Sequence, residues 1–151
     1  MAQSLSKIYI HLTFHIKDNQ VHIRQEDKKR LFAYMGTIIK DTECLPIKIN
    51  GTSDHLHVLC TLSRNVTMAK LTEEIKRHSS RWLKTLSPYY SKFAWQTGYG
   101  VFSVSQSVVD KTISYIENQE FHHQRMSYKD ELIAFLEEYQ IDYDERYLFE
   151  K

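Results

Sequence analysis

Residues 54–62, DHLHVLCTL, form a segment with two unlike faces, and no other stretch constrains the fold as much. Successive side chains of a strand point to opposite sides. Leu56, Val58, Cys60 and Leu62 therefore share one face, apolar throughout, which must pack on a core. His55 and His57 share the other and set two imidazoles side by side. Two adjacent imidazoles make half of a divalent-metal site. The competing reading is a polar cluster buried on a sheet.

The flanking segments say what sheet this strand joins. Residues 7–17, KIYIHLTFHIK, alternate strictly: Ile8, Ile10, Leu12, Phe14 and Ile16 point one way. Tyr9, His11, Thr13 and His15 point the other, which predicts a half-buried strand with a wet or functional face. Asp18-Asn19 makes a turn. Residues 26–42 have helical spacing, with Leu31, Met35, Ile38 and Ile39 on one stripe after a solvated charged start at 26–30. Residues 44–50 read as a second strand, with Pro46 at an edge or strand-start position. Asn50-Gly51 is a strong turn dipeptide and predicts a hairpin into the histidine strand.

Residues 67–86 predict a second amphipathic helix, with Leu71, Ile75, His78 or Ser79, Trp82 and Leu86 down one side; Pro88 stops it. Lys70, Lys76, Arg77, Arg81 and Lys84 make its outer face basic. Residues 93–105, FAWQTGYGVFSVS, read as a strand kinked near Gly98 and Gly100. A third helix spans 108–122, packed through Val109, Thr112, Ile113 and Ile116. A last helix starts at Ser127, with Asp130 in a capping-box-like position and Leu132, Phe135, Leu136 and Tyr139 as its stripe.

The first six elements follow the split βαβ order. The fold class is α+β: a ferredoxin-like antiparallel sheet with two helices on one face. A tyrosine-bearing helix lies on the other, and a C-terminal helix follows. In that order the first and third strands are central neighbours, so His11, Thr13 and His15 lie beside His55 and His57.

A chain of 151 residues is most simply one domain, 1–151, with its core at about 7–123 and a helical extension at 124–151. The formal net charge is +1, so a polyanion would have to be met by a local patch. Cys44 and Cys60 form no CxxC pair and suggest no disulfide framework, which fits a reducing cytoplasm. The N-terminus has no apolar leader, and no run approaches the ~20 apolar residues of a membrane span.

Tyr115 and Gln119 are four apart on the third helix and so share a face. Set against the histidine face, they bring a phenol and a carboxamide oxygen to the two imidazoles. Gln119 is then a candidate third metal ligand and Tyr115 a candidate nucleophile. That combination suits phosphodiester chemistry. A divalent cation polarises the non-bridging oxygens, and a phosphotyrosine conserves the energy of the broken bond. Mg or Mn fits the donors, with Mn the tighter, since Mg prefers all-oxygen ligands.

Three stretches carry a resemblance: 54–59 (DHLHVL), 95–105 (WQTGYGVFSVS) and 115–119 (YIENQ) with His122-His123. In this order and spacing the chain resembles the single-tyrosine HUH transposases of compact bacterial insertion sequences. It is similar also to the related REP-associated tyrosine transposases. The resemblance covers about 7–123. It implies His55, His57 and Gln119 as metal ligands and Tyr115 as the nucleophile. The implied substrate is single-stranded DNA folded into hairpins at element ends. Cleavage leaves a 5′-phosphotyrosine and a free 3′-OH, and a second 3′-OH reverses the step without ATP. A homodimer is implied, in which the tyrosine helix serves its own or its partner's histidine pair. Gln119 favours the insertion-sequence group; the Asn-Pro more frequent in REP-associated members is absent.

Other residues have bland readings beside the sharp ones. Lys70, Lys76, Arg77, Arg81 and Lys84 are either a solvated helix face or DNA-backbone contacts. Tyr99 is a candidate for stacking bases, whereas Trp95 reads better as a core or dimer residue. His122 and His123 either touch phosphate or cap their helix. His11 and His15 read as structural or substrate-lining. The alternative function is a domesticated binder of single-stranded DNA or RNA that keeps the fold without transposing.

Overall fold

In the computed structural model, which describes residues 2–148, the two-faced strand is covered on both sides. The four strands are β1 (Tyr9–His15), β2 (Pro46–Gly51), β3 (His55–Thr61) and β4 (Gly100–Val104). They form one antiparallel sheet in the order β2-β3-β1-β4. With α1 (Lys28–Asp41) and α2 (Met68–Leu86) as the crossovers, this is the expected split βαβ arrangement. β1 and β3 are central, with Thr13 opposite His57 and His15 opposite His55.

The apolar face of β1 and β3 buries Leu12, Phe14, Leu56, Val58 and Cys60 against Leu31, Met35 and Ile39 of α1 and Leu71, Ile75 and Leu83 of α2. The opposite face is covered as well. The helix α3 (Val109–Glu117) packs Ile116 on Tyr9, Leu59 and Val104. After a short helix α4 (Gln119–His122), α5 (Tyr128–Glu138) packs Leu132 and Leu136 on Phe102. A last turn, α6 (Glu145–Leu148), ends the described chain; residues 149–151 of the expected extension lie outside it.

Several expectations are corrected. The polar face of β1 is not wet: His11 is 3% and Thr13 0% exposed, because α3 and α5 cover it. The predicted strand 93–105 shrinks to Gly100–Val104. Before it, Trp95 makes only an isolated bridge with Ile16, and Gly98 turns the chain at φ +96°. The third helix ends at Glu117 rather than 122, and Asn118 separates it from α4. The start of α1 is not all solvated, since Asp27 and Lys28 are buried. Asp27 accepts the Tyr90 hydroxyl at 2.6 Å, and Lys28 reaches Glu120 at 3.0 Å.

The hairpin turn also moves. Asn50 and Gly51 remain in the ladder opposite His57 and Leu56, and residues 52–54 make the turn. The Asn50 side chain instead donates to the carbonyls of Ile116 (2.9 Å) and Glu117 (3.1 Å) and so caps the end of α3. Gly51 is needed for close approach: a Cβ there would run into the His55 carbonyl oxygen and lie 2.6 Å from Leu56 Cδ2. We expect Gly51→Ala to destabilise the fold by about 1–3 kcal/mol, the usual cost of overpacking. Urea unfolding measures this, and an unchanged midpoint would mean that the hairpin opens without strain.

Candidate functional site

Strand alternation puts His55 and His57 on the covered face, and both are fully buried there. Each ring nitrogen meets a partner. His55 Nδ1 is 2.6 Å from Asp54 Oδ1, in the turn, and 2.9 Å from Thr52 Oγ1. His55 Nε2 is 2.9 Å from Gln119 Oε1, at the start of α4. His55 thus has a carboxylate at one ring nitrogen and an amide oxygen at the other. Nε2 and Oε1 are both atoms that can ligate a cation.

His57 Nδ1 is 2.7 Å from His11 Nε2 on β1, and His57 Nε2 is 2.7 Å from Glu131 Oε1 on α5. Burial, with His57 adding to the effect, pushes the His11 imidazole down to about 3, so it stays neutral and can accept the His57 Nδ1–H. Burial works to raise the Asp54 carboxyl, but hydrogen bonds from His55 and Thr52 hold it at about 2. Asp54 and His11 thus fix the two imidazole orientations from behind.

Tyr115 reaches the cluster from α3, where its hydroxyl donates to Glu131 Oε2. Its ring stacks on His122, centroids 4.8 Å apart. Burial and the Glu131 carboxylate push the phenol well above its ordinary range. Gln119 Nε2 is 3.3 Å from the same Oε2. Burial alone would raise the Glu131 carboxyl. Contacts with His123, His57 and Tyr115 outweigh it and hold the group well below the ordinary carboxylate range. Tyr128, one turn before Glu131, stacks on His55 with centroids 4.5 Å apart. Metal-competent atoms of His55, His57, His123 and Glu131 all lie within 4.8 Å of one another.

The structure therefore brings His55, His57, Gln119, Tyr115 and His123 together, with His122 at their edge. It does not bring the α2 residues there: α2 is on the other side of the sheet. Lys70 and Arg77 pair with Glu74. Lys76 donates to the Gln96 carbonyl at 2.7 Å, and burial brings its ammonium down to about 8. Arg81 and Lys84 are exposed on that far layer. Tyr99 is 45% exposed in the loop before β4.

Sequence reasoning missed Glu131 and Tyr128. The signal was there: at helical spacing both fall on the Leu132–Phe135–Leu136 stripe, and a carboxylate within an apolar stripe asks for a buried partner.

Two cavities flank the cluster. One of about 440 Å³ is lined by Tyr115, Phe121, His122, Arg125, Met126 and Phe135. The other, about 340 Å³, is lined by His15, Asp54, Gln96 and Tyr128 among others. Between them α5 holds Glu131 over the histidines through Leu132 and Leu136. A Leu132→Ala/Leu136→Ala pair should cost about 2 kcal/mol or more per site where packing cannot collapse. Amide exchange should then accelerate across α5 while β1 and β3 stay protected. Unchanged α5 protection would show that the helix is held by something other than this apolar seam.

Comparisons with known proteins bear on the family and the fold. Residues 4–119 match the family model described as "Transposase IS200 like". Comparison with curated protein sequences gives no match. Among solved structures, a putative transposase from Deinococcus radiodurans R1 superposes with a TM-score of 0.61 at 20% identity. The match covers 79% of this chain and 98% of that one. A REP-associated tyrosine transposase bound to a REP hairpin superposes with a TM-score of 0.59 at 12% identity, covering 82% and 74%. At these identities the two structures speak for the shared fold.

Proposed function

The chain belongs to the IS200-like transposase family, and on that premise we propose that it cleaves and rejoins single-stranded DNA at hairpin-bearing element ends through Tyr115. The observation that carries this reading is the convergence of a phenol, two imidazoles and an amide oxygen from three separate elements.

The donors fit a divalent ion. His55 and His57 would hold it through Nε2 and Gln119 through Oε1, with Mg or Mn the ion. Bound there, it would neutralise charge on the non-bridging oxygens of the scissile phosphate. The residues of this chain do the rest. Asp54 and His11 keep the imidazoles turned toward the phosphate. Tyr115 loses its proton and forms a bond from Oη to phosphorus. The bond to the 3′ oxygen breaks, that oxygen takes a proton, and a free 3′-OH remains. In the second half another 3′-OH attacks the phosphotyrosine, and Tyr115 recovers its proton as the phenol leaves.

The neighbour captured with a REP hairpin supports hairpin DNA as the ligand class, and one cavity leaves room for a nucleotide beside Tyr115 while the other opens beside Asp54 and Tyr128. We read His122, His123 and Tyr99 as strand contacts near the site. We place Lys70, Lys76, Arg77, Arg81 and Lys84 in contact with DNA only where a strand wraps to the far layer. A homodimer is part of the proposal, as is a single domain spanning 1–151. Among the described residues no helix is long and apolar enough to cross a membrane. A domesticated binder of the same fold is the competing reading; the intact set of Tyr115, His55, His57 and Gln119 favours the enzyme.

A labelled hairpin oligonucleotide with Mn or Mg should give a covalent protein–DNA adduct on a denaturing gel. Tyr115→Phe should abolish it completely, and His57→Ala should remove the metal-dependent yield. An adduct that survives Tyr115→Phe would assign the nucleophile elsewhere. Cleavage by His57→Ala in chelator would end the metal argument.

A further inference from the structure

Glu131 has no part in the reaction described above, and His123 is read there only as a strand contact. Both lie beyond the segment 4–119 that matches the family. The Glu131 side chain is 2% exposed. Its ion-pair contacts are all imidazoles: His57 Nε2 at 2.7 Å, His123 Nε2 at 3.1 Å and His55 Nε2 at 3.6 Å, each measured to Oε1. Among the described residues no lysine or arginine is ion-paired with it. A carboxylate buried without a full positive partner is costly.

His123 carries the complementary anomaly. Its Nε2 is buried and near Glu131 but makes no aligned hydrogen bond. An imidazolium at His123 is one answer to the Glu131 charge, yet the misalignment makes it a poor one. A single cation between them satisfies both groups, at the point that His55 and His57 already face.

We propose that Glu131 is a carboxylate ligand of the metal and His123 a further imidazole ligand, both delivered by the C-terminal segment. The inference rests on the metal reading of the preceding subsection. The spacing suits it: neighbouring donors around an octahedral ion with bonds of ~2.1 Å stand about 3 Å apart. The separations here are 2.7 and 3.1 Å from Glu131 to His57 and His123, and 2.9 Å from His55 to Gln119.

The chemistry changes with the added ligand. His55, His57 and Gln119 make a neutral set; Glu131 gives it a negative charge and a hard oxygen. The third imidazole, from His123, suits Mn over Mg more strongly than the neutral set does, while the carboxylate serves either ion.

The test is calorimetric titration of the metal-free full chain with Mn(II), with no DNA present. The wild type should bind one ion. Glu131→Gln keeps the side-chain shape and should bind at least tenfold more weakly, the low end of the 10–100-fold typical when supporting groups at a metal are lost. An unchanged affinity in Glu131→Gln would overturn this inference and leave the histidine–glutamine site standing. No binding by the wild type would overturn both. Should Glu131→Gln not fold, wild-type NMR with Zn(II) decides. The Glu131 carboxyl carbon resonance shifts on saturation if it is a ligand, and a resonance that stays in place refutes the assignment.

Discussion

Four imidazole nitrogens buried beneath helices must each find a partner, and the far side of the sheet is arranged around that demand. His55 is met by Asp54 from the hairpin turn and Gln119 from α4. His57 is met by His11 from β1 and Glu131 from α5. Two side chains on one strand therefore tie together a turn, a neighbouring strand and two helices. A buried polar group left unpaired costs about 1–3 kcal/mol, so each contact pulls its element toward the histidines. The apolar seams on either side, Ile116 on Leu59 and Leu132 on Phe102, decide where those elements lie along the sheet.

The placement of Tyr115 follows from this. The helix α3 is short, and its C-terminal carbonyls would face outward unsatisfied if it stopped in open space. Asn50 on the edge strand supplies donors for two of them, and Lys48 pairs with Glu117 at 3.2 Å. The helix end is pinned to β2, and the next residues bring Gln119 onto His55. The phenol and the carboxamide arrive from either side of the break at Asn118, so the edge strand helps to align both by holding the end of α3.

What could be read in the chain depended on periodicity. Strict alternation in 7–17 and 54–62 exposed the two faces of the central strands, and the split βαβ order put them side by side. The i, i+4 spacing of Tyr115 and Gln119 put both on the histidine side. What could not be read were effects of tertiary covering. Alternation marks His11 and Thr13 as polar, but not that α3 and α5 close over them. Asn50-Gly51 has turn chemistry, yet the ladder extends through it, because Asn50 finds helix carbonyls and Gly51 admits the close approach of His55. Glu131 looked like one of many acidic helix residues. Its place on the apolar stripe signalled burial, but only the packing of its own helix shows which partners it meets.

The placement of Glu131 also joins packing to chemistry. α5 is held by Leu132 and Leu136, one residue and five residues after Glu131, so the apolar stripe and the carboxylate are parts of one rigid turn-and-a-half of helix. Its Oε2 accepts the Tyr115 hydroxyl while its Oε1 lies against His57. On the proposed mechanism, a phosphate attacked by Tyr115 would be reached by that same hydroxyl and would lie on that same side of the imidazoles. Glu131 and such a phosphate would then compete for neighbouring space, since both are anions. Residue changes in the α5 seam, far from any reacting atom, would shift that competition by loosening the helix that holds the carboxylate in place.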